Sequence, residues 1–255
     1  MIPGRTIILV EDSDSDRLLF SKFLKQIGYD SLSLDCAEKL ISQIDSIEHS
    51  VILMDIEMPG ITGVEAAQII RKQQEVSGKK HIIIALTAHN GDTLKSIVAE
   101  AGFDDYIQKP ITKADLNNKL STYFNAESDA STSDSNIKSE NGNSKDKLYS
   151  LDMFDADEPE FVRSIVEMFV ANTPDSIAAI KKAYELDEME TVRQQAHKLK
   201  PHFSFFGASH LQQAFQMIED IARANENKDK LPDLIHNAEK TSGLMIAQMK
   251  ADLLS

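Results

Sequence analysis

The stretch SVILMD, residues 50–55, is an unbroken apolar run of strand length that closes on a carboxylate. Continuous apolar character is what a parallel strand needs, because helices cover both of its faces. TIILV (6–10) and HIIIALT (81–87) repeat the pattern, and DSLSLD (30–35) and DDYIQK (104–109) supply two shorter runs. Helical stretches alternate with them. Leu18, Leu19, Phe23 and Ile27 stand at helical spacing ahead of Gly28, followed by Glu38–Ile44, Gly63–Gln74, Asp92–Ala101 and Lys113–Tyr123. Five β-then-α units within residues 1–125 predict a doubly wound α/β domain.

The pattern ends at residues 126–147, AESDASTSDSNIKSENGNSKDK, where Ile137 is the sole large apolar side chain. Such a segment buries too little to offset its ordering entropy, which predicts a flexible linker with an r.m.s. span of about 25 Å. Residues 148–255 carry helical periodicity throughout: Glu158–Asn172, Pro174–Leu186, Glu188–Phe206, Ser209–Ala224 and Leu231–Leu253. Pro159 and Pro174 are read as first-turn residues, where a missing N–H is harmless. Short loops between long amphipathic helices predict an all-α, antiparallel helical bundle.

The 255 residues, 42% hydrophobic and 27% charged, suffice for two modest domains. A formal net charge of −14 opposes broad contact with nucleic acid or an anionic membrane surface. The single cysteine, Cys36, cannot form an internal disulfide, which fits a reducing, cytoplasmic setting. The apolar runs are far shorter than the roughly 18 residues of a membrane helix, and MIPGRTIILV lacks the features of a secretory signal.

In an open α/β sheet, ligands gather beyond the carboxyl ends of the strands. Glu11 and Asp12 follow the first strand, Asp55 the third, Thr87 the fourth, and Lys109 with Pro110 the fifth. Crowded acids invite a small hard cation such as Mg²⁺ (or Mn²⁺), and a lysine and a hydroxyl opposite them suit phosphoryl oxygens. An aspartate beside such a cation can act as a nucleophile and form an aspartyl phosphate.

ILVEDSDSDR, ILMDIEMPGITGVEAA, IIALTA and AGFDDYIQKPI, in this order and spacing, closely resemble a response-regulator receiver domain of the CheY-like, flavodoxin-like (βα)5 type. The resemblance implies that Asp55 is the phosphoacceptor. It implies that Glu11, Asp12 and Asp55 bind Mg²⁺ with the main-chain carbonyl of Glu57. Thr87 and Lys109 would contact the phosphoryl group, Lys109–Pro110 would be cis, and Tyr106 would be an aromatic switch. A haloacid-dehalogenase-like phosphatase would want a second aspartate where Glu57 stands and lacks the paired acids after strand one. A DNA-binding regulator would need a basic reading helix in the second half, and none is evident.

In the bundle, Met189, Val192, Ala196, Leu199, Phe203 and Phe206 recur at steps of three and four and form a core stripe. At about 100° per residue, His197 falls roughly 130° from that stripe and is expected to point outward. His197 and His202 are five residues apart, which separates their directions by about 140° and disfavours a shared metal. Lys200 lies on the side of His197 and favours an imidazole that has acquired a phosphoryl group. AHKLKPHFSFFGA, residues 196–208, resembles the signature of histidine phosphotransfer (HPt) domains. The resemblance makes His197 a phosphoacceptor, Lys200 its supporting lysine and Gly207 the terminal glycine. Pro201 departs from the glycine usual there and predicts a local bend.

Together these resemblances imply a two-component phosphorelay protein without a kinase catalytic core. Its partners would be a separate sensor histidine kinase and other receiver domains, with receiver–HPt exchange within one chain also possible. Alternatively, the chain is a fragment of a hybrid kinase, or a phosphorylation-gated binding module in which His197 carries no phosphate.

Overall fold

The computed structural model describes residues 6–88, 98–124, 147–154 and 159–254. The expected linker, apart from Lys147, and most of the helix expected over Asp92–Ala101 lie outside these residues. The chain divides into two compact units, Met1–Thr132 and Ser133–Ser255.

In the first unit, β1 (Thr6–Val10), β2 (Ser31–Leu34), β3 (Ser50–Asp55), β4 (Ile82–Thr87) and β5 (Asp105–Gln108) form one sheet in the order β2-β1-β3-β4-β5. Every pairing is parallel, with Val10 opposite Met54, Asp55 opposite Leu86 and Thr87 opposite Gln108. All strands therefore end on the same edge. The order reverses between β1 and β3, which opens a crevice at their carboxyl ends.

Helices α1 (Asp14–Gln26) and α4 (Lys113–Phe124) pack together, as do α2 (Ala37–Ile41) and α3 (Gly63–Ser77). Ile8, Val10, Ile52, Met54, Ile83 and Ala85 share a core with Leu40, Ala66, Ala67 and Ile70. The alternate strand residues, Ile7, Leu9, Val51, Leu53, Ile84 and Leu86, are equally buried and point to the opposite face. Each such side chain contributes about 1.5–3 kcal/mol by leaving water.

Two details depart from or sharpen the periodicity. The buried stripe of α1 is Asp16, Leu19, Phe20, Phe23 and Leu24; Leu18 is 41% exposed, one position off the stripe. The helix expected over Glu38–Ile44 is the shorter α2 followed by a 3-10 turn, Ile44–Ser46. At the start of α3, a capping box joins Thr62 and Glu65. There Gly63 is obligatory, because a Cβ on it would sit 2.1 Å from the main-chain oxygen of Asp55.

In the second unit, α5 (Pro159–Glu185), α6 (Met189–Phe205), α7 (Ser209–Ala224) and α8 (Leu231–Leu253) follow with short connections. Successive helices pack on each other, and α5 also packs on α8, which closes the bundle. The expected break at Pro174 is absent. Pro174 lies inside α5, whose stripe of Ile165, Val166, Phe169, Val170, Thr173, Ile177, Ile180 and Ala183 is buried continuously across it. Tertiary burial along both halves thus overrides the local helix-breaking tendency.

The α6 stripe is buried as expected. Phe203 stacks on Phe215 with ring centroids 5.0 Å apart, and Phe169 meets Phe203 edge-on at 5.4 Å. Ahead of α5, the Ser150 N–H donates to the Phe206 carbonyl at 2.7 Å, and the Tyr149 hydroxyl donates to Asp252 at 3.0 Å. Gly207 follows α6 at φ +64°, the left-handed turn that lets the chain reverse into α7. Among the described residues, no helix is long and apolar enough to cross a membrane.

Candidate functional site

The strand ends bring Glu11, Asp12, Asp55, Thr87 and Lys109 to one edge of the sheet. Glu11, Asp12 and Asp55 each offer a carboxylate oxygen, all within 4.8 Å of one another. Lys109 is buried among them, its Nζ 2.7 Å from Glu11 Oε2 and 2.7 Å from Asp55 Oδ2. The Lys109 N–H donates to the Thr87 carbonyl at 2.6 Å, and Lys109–Pro110 is a cis peptide. Asp55 Oδ1 accepts the main-chain N–H of Glu57 at 3.1 Å, which fixes the loop that follows β3. From α2, Glu38 accepts the Ile61 N–H at 3.0 Å and holds the far side of that loop.

A fourth acid stands beside them. Asp16, on the buried stripe of α1, places Oδ2 3.6 Å from Lys109 Nζ. Four carboxylates against one ammonium leave an excess of negative charge. Burial, reinforced by the charges of Asp55 and Asp16 and opposed by Lys109, holds the Glu11 carboxyl well above its usual range. Burial works against the Lys109 ammonium, but the charges of Asp55, Glu11 and Asp16 outweigh it and hold the lysine charged. Three hard oxygen donors with surplus negative charge fit a divalent cation of the Mg²⁺ kind.

Tyr106 sits half-buried on the edge strand β5. Lys119 of α4 lies over its ring, 5.7 Å from the centroid, and pairs with Asp105 at 2.9 Å. The Tyr123 hydroxyl donates to Asp105 at 3.1 Å, and burial together with the Asp105 charge pushes this phenol up to about 12.

In the bundle, His197 is off the core stripe of α6, as its spacing requires. The side of α6 that carries His197 meets a carboxylate on α7: His197 Nδ1 is 3.2 Å from Glu219 Oε1. Lys200 Nζ reaches Glu219 Oε2 at 2.7 Å and Gln216 Oε1 at 2.7 Å, and Arg223 also pairs with Glu219. Although burial opposes ionisation, the hydrogen bonds and charges of His197 and Lys200 pull Glu219 down to about 2. An ionised carboxylate only accepts, so Nδ1 carries the hydrogen of this contact.

Sequence reasoning missed Asp16 and Glu219. Both occupy positions of a buried helical stripe, where a carboxylate is out of place unless it has a cation to hold.

Residues 7–121 match the family model of the response regulator receiver domain, and residues 164–253 match that of the Hpt domain. The chain joins a receiver domain to a histidine phosphotransfer domain. These are phosphotransfer modules of phosphorelay signalling and not kinase catalytic cores. The chain is 24% identical over 232 residues to the sensor histidine kinase GacS of Pseudomonas protegens, covering 87% of this chain and 25% of the relative. It is 35% identical over 108 residues to hybrid signal transduction histidine kinase C of Dictyostelium discoideum, covering 41% of this chain and 9% of the relative. It thus spans a quarter or less of both proteins.

Among solved structures, the receiver domain of sensor histidine kinase PA1611 from Pseudomonas aeruginosa, with magnesium coordinated in its active site cleft, is 28% identical. The match covers 48% of this chain and 99% of that one at a TM-score of 0.44. One chain of the Saccharomyces cerevisiae co-crystal structure of Ypd1 with the Ssk1 receiver domain is matched at 24% identity and a TM-score of 0.46, over 50% of this chain and 93% of that one.

Proposed function

We propose that Asp55 accepts a phosphoryl group and that His197 carries one, so that the chain relays phosphate between a sensor histidine kinase and other receiver domains in the cytoplasm. The observation that carries the reading is Lys109, held 2.7 Å from both Asp55 and Glu11 at the strand ends. In this reading the receiver spans residues 1–125, the linker 126–147 and the phosphotransfer bundle 148–255.

At Asp55, a carboxylate oxygen attacks the phosphorus of a phosphohistidine. The O–P bond forms as the N–P bond breaks, and the bonding pair returns to the imidazole nitrogen. Lys109 and the Thr87 hydroxyl balance charge on the phosphoryl oxygens. Glu11, Asp12 and Asp55, with the Glu57 carbonyl, would hold Mg²⁺ (or Mn²⁺), which supplies further charge neutralisation. Tyr106 and Pro110 belong to the segment that responds to the new charge.

At His197, Nε2 attacks the phosphorus of an aspartyl phosphate; N–P forms, O–P breaks, and the pair returns to the carboxylate. Glu219 holds the tautomer and offsets the positive charge that the ring acquires, and Lys200 is placed on the same side.

The hydrogen bond that ties His197 to Glu219 also suits a second reading, in which the bundle is a phosphorylation-gated binding module and His197 takes no phosphate. Following acid-labile, base-stable label from a phosphorylated receiver into wild type and His197→Gln separates the two. Label that enters wild type and is lost in His197→Gln supports the relay; equal labelling of both excludes it. Asp55→Asn must abolish labelling of the receiver.

A further inference from the structure

Asp16 is 2% exposed, and its position on the stripe Asp16, Leu19, Phe20, Phe23, Leu24 would ordinarily be filled by an apolar side chain. A carboxylate placed there is costly unless a cation answers it. The cation is Lys109, 3.6 Å from Asp16 Oδ2 and itself buried. Lys109 therefore has acids on three elements: Glu11 after β1, Asp55 at the end of β3, and Asp16 on α1. Its Nζ also lies 5.9 Å from the Phe20 ring centroid, on the same stripe as Asp16.

The three acids are not equivalent. Glu11 and Asp55 belong to the donor set that fits a divalent cation, whereas Asp16 does not. Once those two carboxylates turn to a divalent cation, their hold on Lys109 weakens, and the cation repels the ammonium. Asp16 is the acid that still attracts it.

We infer that Asp16 is a positioning residue for phosphoryl transfer at Asp55, acting as the anchor that keeps Lys109 in the cation-loaded site. The inference rests on the reading of Asp55 as the phosphoacceptor. Without the Asp16 charge, Lys109 stays with Glu11 and Asp55 and competes with the cation for them. The same loss removes a nearby negative charge that favours cation binding.

The test uses the full chain with Asp16→Asn, which keeps shape and removes charge, and Asp16→Ser as a second neutral variant should the first fold poorly. Mg²⁺ affinity is measured by calorimetry, and phosphorylation of Asp55 by a small acyl phosphate is followed separately. Expected are a roughly three- to tenfold weaker Mg²⁺ affinity and a roughly tenfold slower phosphorylation. In a Lys109→Gln background, Asp16→Asn should slow phosphorylation by less than about twofold, because the residue acts through Lys109.

Unchanged Mg²⁺ affinity and rate in the neutral variants overturn the inference. So does equal slowing with and without Lys109, which marks a purely structural role. If the wild-type chain takes no label on Asp55, the functional reading fails instead, and the two failures are distinct.

Discussion

His197 Nδ1 and Glu219 Oε1 lie 3.2 Å apart on neighbouring helices, with Lys200 and Arg223 on the same carboxylate. One glutamate thus orders three donors, and in the proposed relay the histidine reacts through its other ring nitrogen. Glu219→Gln keeps the shape and can still accept, but no longer offsets charge on the ring. Transfer of phosphate to His197 should slow about tenfold or more, with helix content unchanged. Stopped-flow transfer from a phosphorylated receiver measures it, and an unaltered rate would reduce Glu219 to a packing residue.

The depressed Glu219 carboxyl also has a stability signature. A group whose folded-state pKa is lowered contributes fully above its ordinary value of about 4.3. That contribution disappears as the pH falls through the folded-state value of about 2. Wild type should therefore lose on the order of 2–3 kcal/mol more than Glu219→Gln between these limits. Denaturant titrations at pH 5, 4 and 3 compare the two proteins, and parallel curves would show that the carboxylate is not linked to folding.

Glu11 carries the opposite sign. Burial and the Asp55 charge raise its folded-state pKa, so the folded protein binds a proton more readily than the unfolded chain. Its contribution is present at low pH and lost as the pH rises through the raised value. A divalent cation competes with that proton, so Mg²⁺ should stabilise the chain increasingly as the pH rises. At 100 times its Kd the gain is about 2.7 kcal/mol. Thermal melts with and without Mg²⁺ across this range check it; the pH dependence should vanish in Glu11→Gln.

Gly63→Ala tests how tightly the site is built. The added methyl would fall 2.1 Å from the Asp55 carbonyl oxygen, against main chain that has little room to yield. A loss of about 1–3 kcal/mol is expected, together with weaker Mg²⁺ binding as the end of β3 shifts. Wild-type stability in this variant would show that the loop after Asp55 is looser than the geometry indicates.

The acids at the strand ends were legible because parallel strands read as apolar runs, and their polar terminal residues converge once the sheet order is right. The α6 stripe was legible for the same kind of reason, since Val192, Ala196, Leu199 and Phe203 keep helical spacing. Asp16 was not, because an aspartate in the first turn of a helix is also what the helix dipole favours. Its partner Lys109 is distant in sequence and meets it only through packing. Glu219 had a weak signal, standing four residues after Phe215 and three before Ala222 on a buried stripe. The angle of His197 from the core stripe was read correctly, but one helix's periodicity cannot say what a neighbouring helix lays against its other side.

Pro174 offers the sharpest contrast between local and tertiary preference. Read alone, it starts a new helix; in the structure it lies inside the 27-residue α5. There it leaves the Val170 carbonyl without its intrahelical donor, and its ring crowds that carbonyl. Phe169, Thr173 and Ile177 are buried on either side, so packing holds the helix together despite this cost. Pro174→Ala should therefore stabilise the bundle by about 1–3 kcal/mol, below the full interior penalty because the existing backbone is adapted to proline. Chemical denaturation monitored by helix signal measures the gain. A destabilised variant would mean that Pro174 sets a bend on which the packing of α5 against α6 and α8 depends.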